Sequence, residues 1–497
     1  LRRQRQMCIR DRCMKARALK ENILRKLGRV KEAEELHKES LKIDPLYDRQ
    51  PEKINHNTLL ELVIDLYEAG DYAQGITLAE KWVKQQNVSR QEDIYPLVYY
   101  YIAYGDQNLH RKENTEQANC YMTMYVTLGE NAAADGCFPH RTEDYIVLKS
   151  LAEEYHLAMA YYYLGCLLYD RRVYDESIED YEESILRSPD FPTVHRNLAL
   201  AYYNVKKLPQ RAYEEMEKAF ALDETDARVY LELDQLKKRL NVAVKERWSD
   251  MEKHFDLVES RDDLYLEYVT LLNTLGEPEK ALGLIKARKF HQWEGGEGKV
   301  AAQYLTALYQ LAKAAVEKED YAEAKELLLR AVGEYPHNLG EGKLESGQEN
   351  NLYYLLGLVQ EKLGEAKDAF ESLTRACCGE SEPVGMMYYN DQPPEMIYYQ
   401  GLAYRMLGEE EQAVRRFQKL VDYGREHIRD DVKIDYFAVS LPDLLIFEEN
   451  LNERNRKHCL FMMSLGLKGL GRIDEAEKCA EELLAMDNAH QEIRVHD

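Results

Sequence analysis

Proline is scarce in this chain, 13 residues in 497, so long stretches lack the residue that most strongly breaks helices. No apolar run approaches the ~20 residues a helix needs to span a bilayer. No useful stretch alternates apolar and polar residues with the period of a strand. Basic charge is short as well: 66 Lys and Arg stand against 90 Asp and Glu, a formal net charge of −24. Nucleic-acid affinity rests on basic patches that neutralise phosphates, and anionic membranes attract clustered Lys and Arg. With no basic stripe beyond the first twenty residues, neither nucleic acid nor membrane is an expected partner. The nine cysteines are odd in number, and none stands in a C-x-x-C pair. Most, such as Cys120, Cys166, Cys459 and Cys479, fall on apolar helical faces. That pattern fits reduced, buried thiols and a cytoplasmic setting. Also missing are H-E-x-x-H, G-x-S-x-G and any His/Cys cluster with metal-ligand spacing. The sequence therefore offers no catalytic residue, no cofactor and no metal site.

What is present points to helix. Hydrophobic residues make up 45% of the chain, enough for a packed core, and Ala, Leu, Glu and Lys are abundant. Residues 158–191 give the clearest unit. Tyr161, Leu164, Gly165 and Leu168 share one helix face, and Ser177, Tyr181 and Ser184 share a second. Asp170-Arg171-Arg172 turns between them, and Pro189 closes the unit. Variants recur at 14–47, 56–89, 95–128, 192–226, 228–258, 262–290, 299–336, 350–378, 394–424 and 457–488. A single such pair cannot bury its apolar stripe, so neighbours must stack into a solenoid.

The Leu-Gly start, the small residue at the helix contact and the closing proline resemble the tetratricopeptide repeat (TPR). The expected fold is an all-α, TPR-type α-solenoid, a superhelix of about eleven antiparallel helix pairs. The expected organisation is 13–128 as N-terminal repeats, 129–157 as an inserted link with an extra helix, 158–336 as a central array and 337–497 as a C-terminal array with long links. Residues 1–12, LRRQRQMCIRDR, are basic and aperiodic and resemble translated sequencing-adapter read-through. They are expected to be artefactual, with the true start upstream and a signal peptide there still open.

The links between pairs expand at 129–144, 289–299, 336–349, 379–393 and 428–441. In a solenoid such links emerge on one edge. Two of them repeat Gly-Glu-Gly-Lys, at 296–299 and 340–343, one repeat plus its insertion apart. Stacking should set the two loops side by side. One reading is a polar binding edge of Trp293, Glu294, Glu297, Lys299, Glu341 and Lys343. The other is that the glycines only shape the link while the glutamates favour the following helix N-termini. A phosphate loop is excluded, because Val300 and Leu344 stand where a hydroxyl is required. In the link before residue 142, Phe138 is expected to anchor the loop.

Tyrosine is heavily used, 37 residues, and runs such as Tyr161-Tyr162-Tyr163 cannot all face a core. The TPR resemblance implies a concave groove lined by Tyr162, Tyr354 and Tyr398, together with Tyr169, Asp170, Arg196, Tyr203, Asn204, Glu361 and Arg405. Tyrosine and arginine are frequent binding anchors; the alternative is packing between repeats.

The segments FPHRTED (138–144), HQWEGGEGK (291–299), NLGEGKL (338–344) and DYFAVSLPDLLIFEENLNERN (435–455) resemble the C-terminal TPR half of a family of large bacterial proteins of unknown function. Their N-terminal half resembles a galactose-mutarotase-type β-sandwich. The resemblance implies a carbohydrate context and transfers no catalytic residue. The leading expectation is a non-catalytic scaffold binding a protein partner or the missing N-terminal domain. The alternative is the accessory half of a carbohydrate-active enzyme, with Trp293, Glu297 and Glu341 lining the sugar site.

Overall fold

The computed structural model describes residues 14–45, 55–86, 90–110, 116–291, 293, 295–343, 348–385, 391–433 and 446–496. Among them every regular element is helical, and the chain divides into two compact units, Leu1–Ala201 and Tyr202–Asp497.

The first unit contains α1 (Met14–Lys26), α2 (Val30–Ile43), α3 (His56–Glu68), α4 (Tyr72–Gln85), α5 (Pro96–Leu109), α6 (Glu116–Asn131), α7 (Thr142–Tyr155), α8 (Ala158–Asp170) and α9 (Tyr174–Arg187). The boundary falls within α10 (Pro192–Asn204). The second unit continues through α11 (Pro209–Leu222), α12 (Ala227–Arg239), α13 (Val244–Lys253), α14 (Phe255–Ser260), α15 (Asp262–Thr274), α16 (Pro278–Ala287), α17 (Lys299–Glu317) and α18 (Tyr321–Ala331). It ends with α19 (Asn350–Lys362), α20 (Ala366–Ala376), α21 (Pro394–Met406), α22 (Glu410–His427), α23 (Leu451–Gly469), α24 (Ile473–Met486) and α25 (Gln491–His496). Among the described residues, consecutive helices pack as pairs within each unit: α1–α2, α3–α4, α5–α6 and α8–α9 in the first, and α12–α13, α15–α16, α17–α18, α19–α20, α21–α22 and α23–α24 in the second.

The pair α8–α9 shows why the pattern folds this way. Helix α9 buries Ser177, Ile178, Tyr181 and Ser184 and exposes Asp175, Glu176, Glu179 and Glu182. Opposite, Gly165 leaves bare backbone for the Tyr181 ring: a Cβ there would lie 2.5 Å from Tyr181 Cδ1. The Ser177 hydroxyl donates to the Gly165 carbonyl at 2.7 Å. Gly357 and Leu373 repeat this close approach in α19–α20. Turns within pairs close on a residue at positive φ, as at Gly364 (φ +78) and Gly408 (φ +81). Here orphan carbonyls of the first helix are satisfied. In α8–α9 that place is taken by Arg172, at φ +62.

The inserted link before α7 is stitched down by a buried carboxylate. Asp144 accepts from the Tyr101 hydroxyl (2.8 Å) and from the N–H groups of His140 and Arg141 (3.0 Å each). Phe138 is not the loop's anchor: it is 75% exposed, and its neighbour Cys137 is buried instead. The Tyr101 hydroxyl and the main-chain N–H groups around Asp144 satisfy this link through polar contacts, so the aromatic ring is not needed.

Candidate functional site

The second unit presents a face made by the first helices of its pairs, and the chain's own end lies against it. Helix α25 follows the last pair after a four-residue connection and is held by α15, α17 and α21. The Gln491 amide exchanges hydrogen bonds with the Gln303 amide, at 2.9 and 3.1 Å. Its Nε2 also lies 3.2 Å from the Thr270 carbonyl and from the Thr274 hydroxyl. Gln303 is held in turn by Asn273, whose Nδ2 donates to its side-chain oxygen at 2.9 Å. Ile493 (1% exposed) and Val495 are buried, while Glu492 and Arg494 point to solvent. Lys313 Nζ donates to the Val495 carbonyl at 2.9 Å.

The far end of α25 meets aromatic rings. The His496 imidazole lies 5.5 Å from each of the Tyr309 and Tyr399 rings, and its Nδ1 is 3.1 Å from the Tyr399 hydroxyl. Tyr309 and Tyr399 are themselves bonded, Oη to Oη, at 2.6 Å. Burial pushes the imidazole down to about 3, and Lys313 and Lys468 act in the same direction, so His496 is neutral here. In the first turn of α21, burial pushes the Glu395 carboxyl up to about 8, with Glu492 adding to the shift.

A second segment of the chain docks on the same unit. Phe447 is fully buried, with its ring 5.1 Å from Tyr203 and 5.4 Å from the Arg239 guanidinium. Asn204 bonds this segment on both sides, donating to the Ile446 carbonyl and accepting from Glu448 N–H, both at 2.9 Å. Lys207 pairs with Glu448 at 2.6 Å.

The expected groove residues therefore fall into separate surroundings. Tyr203 and Asn204 contact the chain's own 446–448 segment. Tyr354 and Tyr398 flank Tyr399, with rings at 5.5 and 5.4 Å, and Tyr398 is buried against Phe417. Arg405 is exposed, paired with Glu410 at 2.9 Å and donating to the Gly469 carbonyl at 2.9 Å. Glu361 is exposed. In the first unit, Tyr162 does not face an open groove. It is 7% exposed, enclosed by Tyr163, Tyr181 and Phe191, because the link after α9 folds Phe191 across it edge-on. Its neighbour Tyr161, expected in the core, is half-buried beneath the Arg187 guanidinium at 4.6 Å. Tyr169 is half-buried against Tyr174, Asp170 is exposed, and Arg196 is half-buried beside Asn197.

The two Gly-Glu-Gly-Lys loops do lie together. Glu341 spans them, accepting from Gly298 N–H at 2.8 Å and from Ala301 N–H at 2.9 Å. Both contacts are at the start of α17, so this carboxylate caps a helix. Trp293 folds over Gly296, where a Cβ would enter the indole. Lys343 pairs with Glu349 at 2.7 Å and donates to the Val332 carbonyl. Glu297 and Lys299 are exposed, and Glu294 lies outside the described residues.

Sequence reasoning missed α25 and the residues that hold it: Thr270, Thr274, Gln303, Tyr309, Lys313 and Tyr399. One signal was available. Ile493 and Val495 are apolar and lie just beyond the repeat at 457–488. Among the described residues no group of three His, Cys, Asp or Glu is placed to hold a metal, and no helix is long and apolar enough to cross a membrane.

Family models described as tetratricopeptide repeat match residues 309–383 and 395–423. Among solved structures, yeast Tom70 aligns at 10% identity over 97% of this chain and 94% of its own, with a TM-score of 0.29. A tetratricopeptide repeat protein from Parabacteroides merdae aligns at 14% identity over 61% of this chain and 98% of its own, with a TM-score of 0.23. MamA aligns at 23% identity over 42% of this chain and 96% of its own, with a TM-score of 0.17. The paired helices, their close-approach glycines and the two matching models make this an all-α fold of tetratricopeptide-type solenoid repeats.

Proposed function

We propose that this chain is a non-catalytic scaffold, working in the cytoplasm, that binds a protein partner on the first-helix face of its second unit. The observation that supports this reading is α25 itself. The face accepts a short peptide by burying alternate side chains, exchanging amide hydrogen bonds and capturing a main-chain carbonyl with Lys313. Pockets for side chains and hydrogen bonds to the main chain are general means by which proteins recognise peptide segments. The edge loops have less capacity to bind a sugar, because Glu341 already accepts two main-chain N–H groups and Lys343 is paired with Glu349.

A random peptide library panned against the chain tests this. Ile493→Asp places a charge where the side chain is buried and should expel α25, opening the face. The opened chain should enrich peptides whose binding is lost when Tyr399→Ala is added. Enrichment of no peptide, or only of peptides indifferent to Tyr399→Ala, overturns the reading.

A further inference from the structure

The repeats close at Met486, yet the chain turns back to place six more residues on the face just described. A six-residue helix has no stability of its own in water, so the order of 491–496 is supplied by the surface it occupies. That surface reads the segment position by position. At the first position, an amide must both donate and accept, because Gln303 offers one group of each kind and Thr270 a carbonyl. The third and fifth positions are buried and aliphatic, and the second and fourth are exposed. At the sixth position a neutral ring fits between Tyr309 and Tyr399, while Lys313 and Lys468 disfavour a cation. The connection to α24 is also held by side chains: Asn241 accepts from Asn488 N–H at 2.7 Å and donates to the Ala485 carbonyl at 3.1 Å.

We propose that this face is an exchangeable peptide site, that its ligand is a partner-protein segment of the pattern Gln-x-Ile-x-Val-His, and that residues 491–496 are a tethered occupant which such a segment displaces. The proposal rests on the scaffold reading above and goes beyond it in naming the sequence recognised and the competitor. A short tether gives its occupant an effective concentration of about millimolar. A free segment of equal intrinsic affinity is therefore held off until it is abundant, or until it binds better than the tail.

The probe is a fluorescein-labelled synthetic peptide with the sequence of residues 488–496, titrated by anisotropy against three versions of this 497-residue chain. Ile493→Asp should bind it at least tenfold tighter than the unaltered chain, and adding Gln303→Ala should abolish that binding. A folded Ile493→Asp chain that binds no tighter than the unaltered one overturns the proposal, as does binding that Gln303→Ala leaves intact. If Ile493→Asp fails to fold, hydrogen exchange on the unaltered chain replaces it. Excess probe should then speed exchange at Gln491–His496, and unchanged protection overturns exchangeability. Dimerisation of the unaltered chain with rising concentration, lost on Ile493→Asp, would make a second copy the occupant and overturn the partner assignment. Panned peptides of unrelated pattern that do not compete with the probe sink this proposal while leaving the scaffold reading standing; the absence of any binding peptide sinks both.

Discussion

At the scale of single residues, two positions carry strain or charge that a substitution would relieve. Arg172 holds the left-handed turn of α8–α9 at φ +62, where six other pairs place glycine, among them Gly364 and Gly408. A non-glycine residue there is disfavoured by roughly 1–2 kcal/mol, partly offset by the greater unfolded-state freedom of glycine. Arg172→Gly should stabilise the chain by about 0.5–1 kcal/mol, read as a higher denaturant midpoint with an unchanged slope. Glu395 is the second case. Its folded carboxyl is pushed up to about 8 by burial and Glu492, so between its ordinary value and 8 the folded state holds a proton that the unfolded state lacks. Stability is then fully present below about pH 4.5 and falls by up to about 1.4 kcal/mol per unit as pH rises towards 8. Glu395→Gln should flatten this slope, raising the melting temperature at pH 8 and leaving it little changed at pH 5. Such residues were only partly legible beforehand. The turn glycines stood in the sequence by position, and Arg172 stood out against them. The shift at Glu395 did not, because part of it comes from Glu492, nearly a hundred residues later.

At the scale of elements, the repeat was readable and its exceptions were not. The spacing of Gly165, Ser177 and Tyr181 predicts a pair, and α8–α9 forms it with the ring lying on bare backbone. Tyr162 was misplaced because helix geometry gives only the direction of a side chain, while Phe191 decides whether that direction is covered. The divergent pair around α12 and α13 shows another kind of exception. Arg247 is fully buried between Asp234 and Glu267, at 2.6 Å from each. Burial would raise the Glu267 carboxyl, but Lys238 and Arg247 outweigh it and hold it below the ordinary carboxylate range. Removing the cation strips the buried Asp234 carboxylate of its partner, while Glu267 keeps Lys238 at 3.3 Å. Arg247→Met should destabilise the chain by about 3–5 kcal/mol. Arg247→Met with Asp234→Leu should recover part of that loss, measured by chemical denaturation. The edge loops contribute less. Glu341→Ala deletes the cap of α17 and should lower stability by about 1 kcal/mol, within the range measured for helix caps. A loss of that size at unchanged peptide affinity would mark Glu341 as structural.

At the scale of the whole molecule, the informative feature is a return of the chain end across some two hundred residues of sequence, from Gln491 to Thr270 and from Asn488 to Asn241. Periodicity carries no signal for such a contact, since Ile493 and Val495 belong to no repeat. Only the chemistry of the face explains why they are buried. That chemistry also makes the docking of α25 depend on pH. Docked, the His496 imidazole is held down to about 3 by burial, with Lys313 and Lys468 adding; released, it returns to about 6.5. Between those values the released tail binds a proton that the docked tail refuses, so docking is fully present above about pH 6.5 and is lost as pH falls. Each unit below 6.5 shifts the balance by up to about tenfold towards release. Among the described residues, the groups that act on the imidazole are Tyr309, Tyr399, Lys313 and Lys468, and none of these supplies a carboxylate to hold the new charge. Hydrogen exchange at Gln491–His496 should therefore accelerate by about tenfold between pH 7 and pH 5.5, after correction for the intrinsic rate. His496→Asn should remove that acceleration while α24 keeps its protection. Equal pH dependence in both chains would mean that another group controls the release, and protection unchanged down to pH 5 would mean that α25 stays docked whatever the charge on its last ring.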